Sequence, residues 1–219
     1  MDALTYKDRS EAGQVLAREL EHYRDTPGAL VLALPRGGVP VAYEVTHALG
    51  IPLDVFMVRK IGHPQHREFA VGALASGGAL VLEPHAGRVE RPALDDVVQE
   101  ETLELERRER LYRRERPLPE LAGRTVIVVD DGVATGASIR AAAQAIRAQG
   151  PARLVLAVPV GAPETCQALR GHADEVVCPR QPRDFGAVGR WYQDFEQVND
   201  EQVLAYLQRA QQQTAGAQS

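Results

Sequence analysis

A short stretch past the middle of the chain combines two adjacent acids with a run of small and hydroxyl-bearing residues. Residues 126–138 read Val-Ile-Val-Val-Asp-Asp-Gly-Val-Ala-Thr-Gly-Ala-Ser. The four aliphatic residues predict a buried strand, and the small residues after the acids predict a tight turn into a helix. Such a turn directs backbone N–H groups and a helix N-terminus at one point, which suits a phosphate. Asp130 and Asp131 lie where their carboxylates can accept hydrogen bonds from ligand hydroxyls or reach a metal ion.

This stretch resembles the phosphoribosyl-diphosphate (PRPP) motif of type I phosphoribosyltransferases. In both, two aliphatic residues precede two acids, two spacer residues and then Ala-Thr-Gly-x-Ser. The resemblance implies that Asp130 and Asp131 orient the ribose and meet Mg²⁺ through water or the ribose. It assigns PRPP binding to Gly132, Val133, Ala134, Thr135, Gly136, Ala137 and Ser138. Gly132 departs from the family, which usually has an aliphatic residue there, and we expect it to loosen the turn. An ordinary strand–turn–helix without a ligand is the alternative.

The resemblance also implies a loop for the diphosphate after the first strand of the sheet. The sequence Leu-Pro-Arg-Gly-Gly at residues 34–38 follows an apolar run and lies in that place. Its cation and two glycines allow backbone amides to approach an anion, so Arg36, Gly37 and Gly38 are assigned to PRPP binding. In this family the loop often contains a cis non-proline peptide, which we expect between Arg36 and Gly37. On its own, Pro-Arg-Gly-Gly is more often a simple turn.

A third segment ends the next predicted strand with two cations, Arg59 and Lys60. Similarity to adenine-type members of the family implies that these cations hold the departing diphosphate. It also implies that residues 63–69 form a mobile catalytic loop that closes over PRPP and excludes water. Glu68, within that loop, is one candidate for the general base. The alternative is a solvated basic turn.

Aromatic residues make up only 5% of the chain, yet four of them fall between residues 185 and 195. One interpretation is a hood at residues 180–200, in which Phe185 or Trp191 stacks on a nucleobase. The other is an aromatic cluster that closes the core under a loop. The sequence leaves both open.

Apolar runs alternate with helical patterns along most of the chain, which predicts an α/β fold with an open, mostly parallel twisted sheet flanked by helices. The predicted strands cover residues 29–34, 53–58, 125–129, 154–158 and 175–177, with further strand segments between 71 and 82. The predicted helices cover residues 9–24, 40–49, 139–148, 164–169 and 200–210. Ligands of such sheets bind beyond the carboxyl ends of the strands, so the two loops above are expected at one edge.

A segment rich in Glu and Arg, residues 94–116, interrupts this alternation. Its opposite charges recur at i,i+4, and its apolar stripe is thin, comprising Leu94, Val98, Leu105 and Tyr112. The pattern predicts a long helical insertion. This helix either links two halves of the sheet in solvent, or covers the active site or a second subunit. Residues 1–210 are predicted to form one domain and residues 211–219 a disordered tail.

Composition limits the class of protein. The 219 residues are 44% hydrophobic and 25% charged, which is ordinary for a globular chain, and the formal net charge of −5 argues against nucleic-acid binding. Two cysteines, the absence of a leader and the absence of an apolar run of about 18 residues predict a cytoplasmic protein that does not enter the membrane. The resemblance implies a homodimer.

The resemblance implies a pentosyltransferase that uses Mg²⁺ and releases diphosphate as a nitrogenous base attacks C1 of PRPP. Arg36, Arg59 and Lys60 would add fixed positive charge at the leaving group. Hypoxanthine–guanine-type relatives have an acid where this chain has Ala134, so a 6-oxopurine acceptor is disfavoured and the acceptor stays open. A PRPP-sensing module without catalysis and a PRPP or nucleotide hydrolase are the alternatives. We expect Asp131→Asn to weaken PRPP binding with little change in melting temperature.

Overall fold

A five-stranded parallel sheet and a three-stranded antiparallel sheet organise the chain. The structure, a computed structural model, describes residues 5–83, 86, 89–114 and 116–216. The strands are β1 (Leu30–Ala33), β2 (Leu53–Val55), β3 (Val58–His63), β4 (His66–Ala75), β5 (Ala79–Leu82), β6 (Thr125–Val129), β7 (Arg153–Ala157) and β8 (Glu175–Val177). The helices are α1 (Arg9–Glu19), α2 (Gly38–Leu49), α3 (Arg91–Arg113), α4 (Ala137–Arg147), α5 (Pro163–Leu169) and α6 (Asp200–Gly216). Short 3₁₀ helices lie at Glu21–Tyr23 and Val188–Trp191.

The parallel sheet has the strand order β2-β1-β6-β7-β8, so β1 and β6 are neighbours although they are far apart in the chain. Their register pairs Leu30 with Val126 at one end and Ala33 with Val129 at the other. Because the two strands end in register, the loops that follow them start side by side. This adjacency is the property of the fold that assembles the candidate site.

Both faces of the parallel sheet are buried, which accounts for the continuous apolar runs in its sequence. Val31 and Ile127 belong to a core shared with α1, α2, α3 and α6. Leu32 and Val128 point to the other face and pack with residues of α4 and α5. The α/β fold with helices on both faces of the sheet is therefore confirmed.

The antiparallel sheet, β3-β4-β5, forms the small additional layer of the fold. Its first hairpin pairs Val58 with Ala75 and closes at His63 and His66. The predicted mobile loop at residues 63–69 lies at the tip of this hairpin, where β4 begins at His66 and the register shifts on both sides of Gly62, and its mobility stays a prediction. Val71 supports the strand, since it is buried in the same core as the helices on that side of the sheet.

Helix α3 begins and ends close to the predicted insertion and packs on β3, β4 and α6. Leu94, Leu105 and Tyr112 are buried as predicted, whereas Val97 rather than Val98 completes the buried stripe. The helix therefore covers the antiparallel sheet with one narrow face, while most of its other residues are exposed or half-buried.

Charged side chains of α3 pair along the helix as their spacing predicts, with Glu104 bonded to Arg108 at 2.8 Å. Pairs of this kind contribute little to stability when exposed. Arg113 differs because its side chain is only 3% exposed. It is 3.1 Å from Asp54 and 3.1 Å from Glu109, and it donates to the Val55 carbonyl. This buried ion pair fixes the C-terminal end of α3 to β2.

Helix α6 continues to Gly216, so the prediction of a disordered tail is wrong for residues 211–216. Residues 217–219 of the predicted tail lie outside the described residues. Among the described residues, no helix is both long and apolar enough to span a membrane.

Candidate functional site

The loops after β1 and β6 meet at the carboxyl edge of the parallel sheet. The Leu34 N–H donates to the Val129 carbonyl at 2.9 Å, which continues the β1–β6 pairing to the last residue before the Pro-Arg-Gly-Gly sequence. Helix α2 then begins at Gly38 and leads the chain away. The structure thus brings the predicted diphosphate loop and the predicted acidic motif together.

Glycine is required at positions 37 and 38 because the loops after β1 and β6 lie in close contact. A Cβ atom at Gly38 would lie 2.7 Å from the Val129 carbonyl oxygen and 2.9 Å from Asp130 Cα. A Cβ atom at Gly37 would collide with the Asp131 carboxylate. The Gly-Gly pair therefore has a packing reason, and the predicted exposure of backbone amides does not extend to the Gly38 N–H, which donates to the Leu34 carbonyl at 3.1 Å.

The cis peptide of the first loop joins Pro35 to Arg36. The prediction of a cis bond between Arg36 and Gly37 is therefore wrong by one residue. The Arg36 side chain is half-buried, and its Nη1 atom is 3.6 Å from the Asp200 carboxylate at the start of α6. The Tyr112 hydroxyl donates to that same carboxylate at 2.6 Å, so α3 and α6 together hold the cation of this loop.

Asp130 and Asp131 are half-buried and adjacent, so their negative charges oppose one another. Burial, followed by the neighbouring Asp131 charge, raises the pKa of Asp130 well above its ordinary value. Burial also raises the pKa of Asp131, although the guanidinium of Arg9 opposes the shift. Keeping two crowded carboxylates ionised without a ligand or cation costs free energy. Raised carboxyl pKa values of this kind are typical of functional sites.

Arg9 is a site residue that sequence reasoning missed. Its Nε and Nη2 atoms both lie 2.9 Å from Asp131 Oδ2. The sequence does contain a local signal, since Asp8 caps α1 by accepting from the Glu11 N–H at 2.9 Å and so fixes Arg9 as the first helical residue. No local pattern could have shown that this helix begins beside the acids.

The predicted phosphate loop is held from behind by the segment that follows β7. Val133 donates its N–H to the Val160 carbonyl at 2.9 Å and accepts from the Ala162 N–H at 3.0 Å. The Thr165 hydroxyl donates to the Ala134 carbonyl at 2.6 Å. These bonds fix the loop's backbone from the side of the sheet and α5.

The front of the same loop is open to solvent. Gly136 precedes α4 with φ +74°, a left-handed conformation that favours glycine. Thr135, Ala137 and Ser138 are exposed. The first N–H groups of a helix have no partner within the helix, so this arrangement can bind an anion.

Gly132 lies where the C-terminal aromatic segment packs on the loop. A Cβ atom at Gly132 would be 2.6 Å from Val188 Cγ1 and 3.1 Å from the Val160 side chain and carbonyl. The expectation that glycine loosens the turn is therefore replaced by a packing reason, since the residue's small size lets Val188 approach.

We expect Gly132→Ala to lower the melting temperature by a few degrees. Overpacking of this kind costs about 1–3 kcal/mol, and about 1 kcal/mol shifts the melting temperature of a chain this long by ~2–4 °C. Thermal unfolding of Gly132→Ala, Val188→Ala and the double variant tests the cause. The double variant should recover part of the loss, whereas fully additive losses would show that Val188 is not the obstacle.

The aromatic segment forms a small cluster beside the site. Phe185 is 6% exposed and packs with Tyr6 and Tyr192. The half-buried Trp191 ring lies 6.3 Å from that of Phe185, and its indole N–H donates to the Phe185 carbonyl at 2.9 Å. The structure thus favours the cluster interpretation for Phe185, and its role in base stacking stays a prediction.

Tyr192 links this cluster to the acids. Its hydroxyl donates to the Asp131 carbonyl. Its backbone lies beside Tyr6, with which it forms a parallel bridge. The N-terminal and C-terminal segments therefore close over the acidic motif together.

The predicted loop cations lie on the antiparallel sheet. Arg59 donates to the Glu101 carboxylate of α3 and is 3.7 Å from Glu104. Lys60 Nζ is 3.9 Å from the fully exposed Glu68 carboxylate and donates to the Glu68 carbonyl. Arg59 is thus paired with acids of α3, whereas Lys60 lines a cavity together with Ala137 and Ser138 of the predicted phosphate loop.

The acidic motif fits a magnesium ion that is shared with a substrate. In the described residues no group of three or more His, Cys, Asp or Glu could hold a metal by itself. Mg²⁺ is commonly bound through one or two carboxylates together with substrate oxygens. The bonds described here engage Oδ1 of Asp130, with the Asp131 N–H, and Oδ2 of Asp131, with Arg9. One oxygen of each carboxylate is thus left for such a role.

Known proteins place this chain in a family. The phosphoribosyl transferase domain model matches residues 6–193. A Mycobacterium tuberculosis H37Rv protein named "Putative phosphoribosyl transferase Rv0571c" is 44% identical over 215 residues, covering 97% of this chain and 48% of that protein. The corresponding protein of strain CDC 1551 matches to the same extent. The crystal structure of the protein TT1426 from Thermus thermophilus has a TM-score of 0.82 and 46% identity, covering 94% of this chain and 98% of that one.

The chain belongs to the phosphoribosyl transferase domain family. It spans about half the length of the curated M. tuberculosis relatives.

Proposed function

We propose that this protein binds PRPP with Mg²⁺ and transfers its phosphoribosyl group to a nitrogenous base, releasing diphosphate. One observation carries the proposal. The acids and small-residue loop after β6 lie against the Arg-Gly-Gly loop after β1, at the edge where α/β sheets bind ligands. The proposal includes a homodimer and a cytoplasmic setting, and the two free, buried cysteines suit a reducing compartment.

The roles of the two loops follow from their chemistry. Thr135, Ser138 and the N-terminus of α4 bind the 5-phosphate, which anchors the ribose at one end. Arg36 and the backbone of Gly37 bind the diphosphate at the other end. Gly38 contributes through its small size, since its own N–H already donates to the Leu34 carbonyl at 3.1 Å. C1 of the ribose then lies between the loops, next to the acids.

The acids orient the reacting ribose. Asp130 and Asp131 accept hydrogen bonds from the ribose hydroxyls and would hold Mg²⁺. The metal would supply positive charge that offsets the negative charge developing on the departing diphosphate. Arg36 adds fixed positive charge at the same group.

The two cations of the β3–β4 hairpin are proposed to act only after the hairpin has moved towards the site. Arg59 and Lys60 are proposed to meet the diphosphate when the β3–β4 hairpin approaches the site, with Glu68 as one candidate base. This requires Arg59 to leave Glu101, so its contribution depends on a conformational change. The half-buried Trp191 is retained as a candidate for contact with the base.

The proposal is tested by diphosphate release from PRPP with Mg²⁺, across purine, pyrimidine and pyridine bases. We expect release that depends on one class of base and stops when EDTA removes the metal. Diphosphate release at the same rate with and without a base would indicate a hydrolase. Tight PRPP binding without turnover across the panel would indicate a sensing module and contradict the proposed transfer.

A further inference from the structure

Arg9 is held next to the acidic motif by pairing between the segment before α1 and the segment around Tyr192. The Tyr6 N–H donates to the Trp191 carbonyl at 2.8 Å, and the Gln193 N–H donates to the Tyr6 carbonyl at 2.8 Å. Helix α1 starts directly after this pairing, with Arg9 at its first position. The backbone on both sides of Arg9 is thereby fixed relative to the site.

The guanidinium of Arg9 is engaged on every side. Two of its nitrogens bind one oxygen of Asp131, Oδ2, at 2.9 Å. Its Nη1 donates to the Glu196 carbonyl at 2.8 Å, and its Cζ lies 3.9 Å from the centroid of the Phe195 ring. The side chains of Arg9 and Asp131 are 11% and 14% exposed, so water screens this ion pair weakly.

This geometry leaves Oδ1 of Asp131 outside the bonds with Arg9. Both oxygens of the carboxylate lie beside the predicted diphosphate loop, since Oδ2 is the nearer to the position of a Cβ atom at Gly37 and Oδ1 lies 3.3 Å from it. The charged and titratable groups around the carboxylate are Arg9 from α1, Asp130 from the end of β6 and Tyr192 from the C-terminal segment. Arg9 is the cation among these three.

We propose that Arg9 is a positioning residue for PRPP. Arg9 binds Oδ2 of Asp131 and so leaves Oδ1 for the ribose, and it links this acid to the aromatic segment through Phe195. The inference rests on the proposed function, because it assigns Arg9 a role only if PRPP binds at this site. Arg9 acts through Asp131 and does not itself touch the substrate.

A double-mutant cycle on PRPP affinity tests this role. Titration calorimetry with PRPP and Mg²⁺ compares the unsubstituted protein with Arg9→Met, Asp131→Asn and the double variant. A charged hydrogen bond of this kind corresponds to about a tenfold change in affinity, so Arg9→Met should raise Kd about tenfold. In the Asp131→Asn background the same substitution should change Kd by less than about twofold, because the carboxylate through which it acts is gone.

Conservative variants keep the test decisive if Arg9→Met folds poorly. Arg9→Lys retains the charge but not the three-sided contact, and it should give an intermediate Kd. Phe195→Leu removes only the ring under the guanidinium, and it should weaken binding about two- to fivefold. Arg18→Met, an exposed arginine on the same helix, should leave Kd unchanged.

If Arg9 has only a structural role, substituting it should lower the melting temperature and leave the Kd of the folded protein for PRPP unchanged. That result would overturn the inference. An equal loss of affinity with and without the Asp131 carboxylate would also overturn it. If the unsubstituted protein does not bind PRPP, the proposed function fails and this inference fails with it. Binding by the unsubstituted protein with no effect at Arg9 contradicts the inference alone.

Discussion

Asp130→Asn is expected to abolish PRPP-dependent activity while making the folded protein more stable. Asparagine cannot supply the anionic oxygen that is proposed to meet the ribose and Mg²⁺, so we expect turnover to fall by about 100-fold or more. The same change removes a carboxylate whose charge is disfavoured by burial and by Asp131. Relief of about 1 kcal/mol would raise the melting temperature by ~2–4 °C.

The stabilisation should depend on pH in a defined direction. Because the pKa of Asp130 is raised in the folded protein, the unfolded chain loses its proton at a lower pH than the folded chain. The stability of the unsubstituted protein relative to Asp130→Asn therefore falls as pH rises from the ordinary carboxyl range to the raised value. The difference in melting temperature should be small near the ordinary carboxyl pKa of about 4 and larger at about pH 7.

Asp131→Asn provides the matched comparison. It also relieves the repulsion between the acids, but it leaves Arg9 without its anionic partner. These effects oppose one another, so the melting temperature should change little although PRPP binding is weakened. Thermal unfolding of both variants tests the contrast. A clear drop in melting temperature for Asp130→Asn would show that its ionised carboxylate stabilises the fold, contrary to the expectation.

Gly38→Ala is expected to impair both folding stability and PRPP binding. Its Cβ atom would meet the Val129 carbonyl oxygen at 2.7 Å and Asp130 Cα at 2.9 Å, both of which are backbone atoms. Backbone cannot yield as a flexible side chain does, so the β1–α2 loop must move away from the acids. We expect a cost of about 2–3 kcal/mol and a melting temperature lower by ~4–10 °C.

The displacement should also affect function, because it separates the two loops that are proposed to hold PRPP. Loss of alignment of this size can reduce turnover by about 100-fold. Gly171→Ala is the control, since its nearest contact is the Ala168 carbonyl oxygen at 3.6 Å and its φ is not in the left-handed range. If Gly38→Ala and Gly171→Ala show equal melting temperatures and PRPP affinities, the close approach of the loops is not essential.

The parallel sheet could be predicted from sequence because its determinants are local. The apolar run at residues 125–129 became β6 with the same bounds, and residues 175–177 became β8. Gly50 ends α2 in the left-handed conformation that its position after Leu49 predicts. The loops after β1 and β6 could be placed at one edge because parallel strands share the direction of their carboxyl ends.

The antiparallel sheet and the surroundings of the acids could not be predicted in the same way. Residues 63–69 are polar and contain a proline, so nothing local indicates the hairpin whose support comes from α3 and the core. The bond between Arg9 and Asp131 joins residues 122 positions apart. Phe185 and Trp191 were correctly recognised as part of a local concentration of aromatic residues. Burial alone decides between a stacking platform and a packed cluster, and burial depends on the whole fold.

The most direct test of the account is the affinity for PRPP with Mg²⁺, measured by titration calorimetry beside ribose 5-phosphate and diphosphate alone. Two adjacent loops that hold the two ends of one ligand should bind PRPP at least about 100-fold more tightly than either fragment, because the second contact becomes intramolecular. Asp130→Asn should remove this advantage. Equal affinities for PRPP and ribose 5-phosphate, or PRPP affinity unchanged by Asp130→Asn, would contradict the assignment of these two loops as a PRPP site.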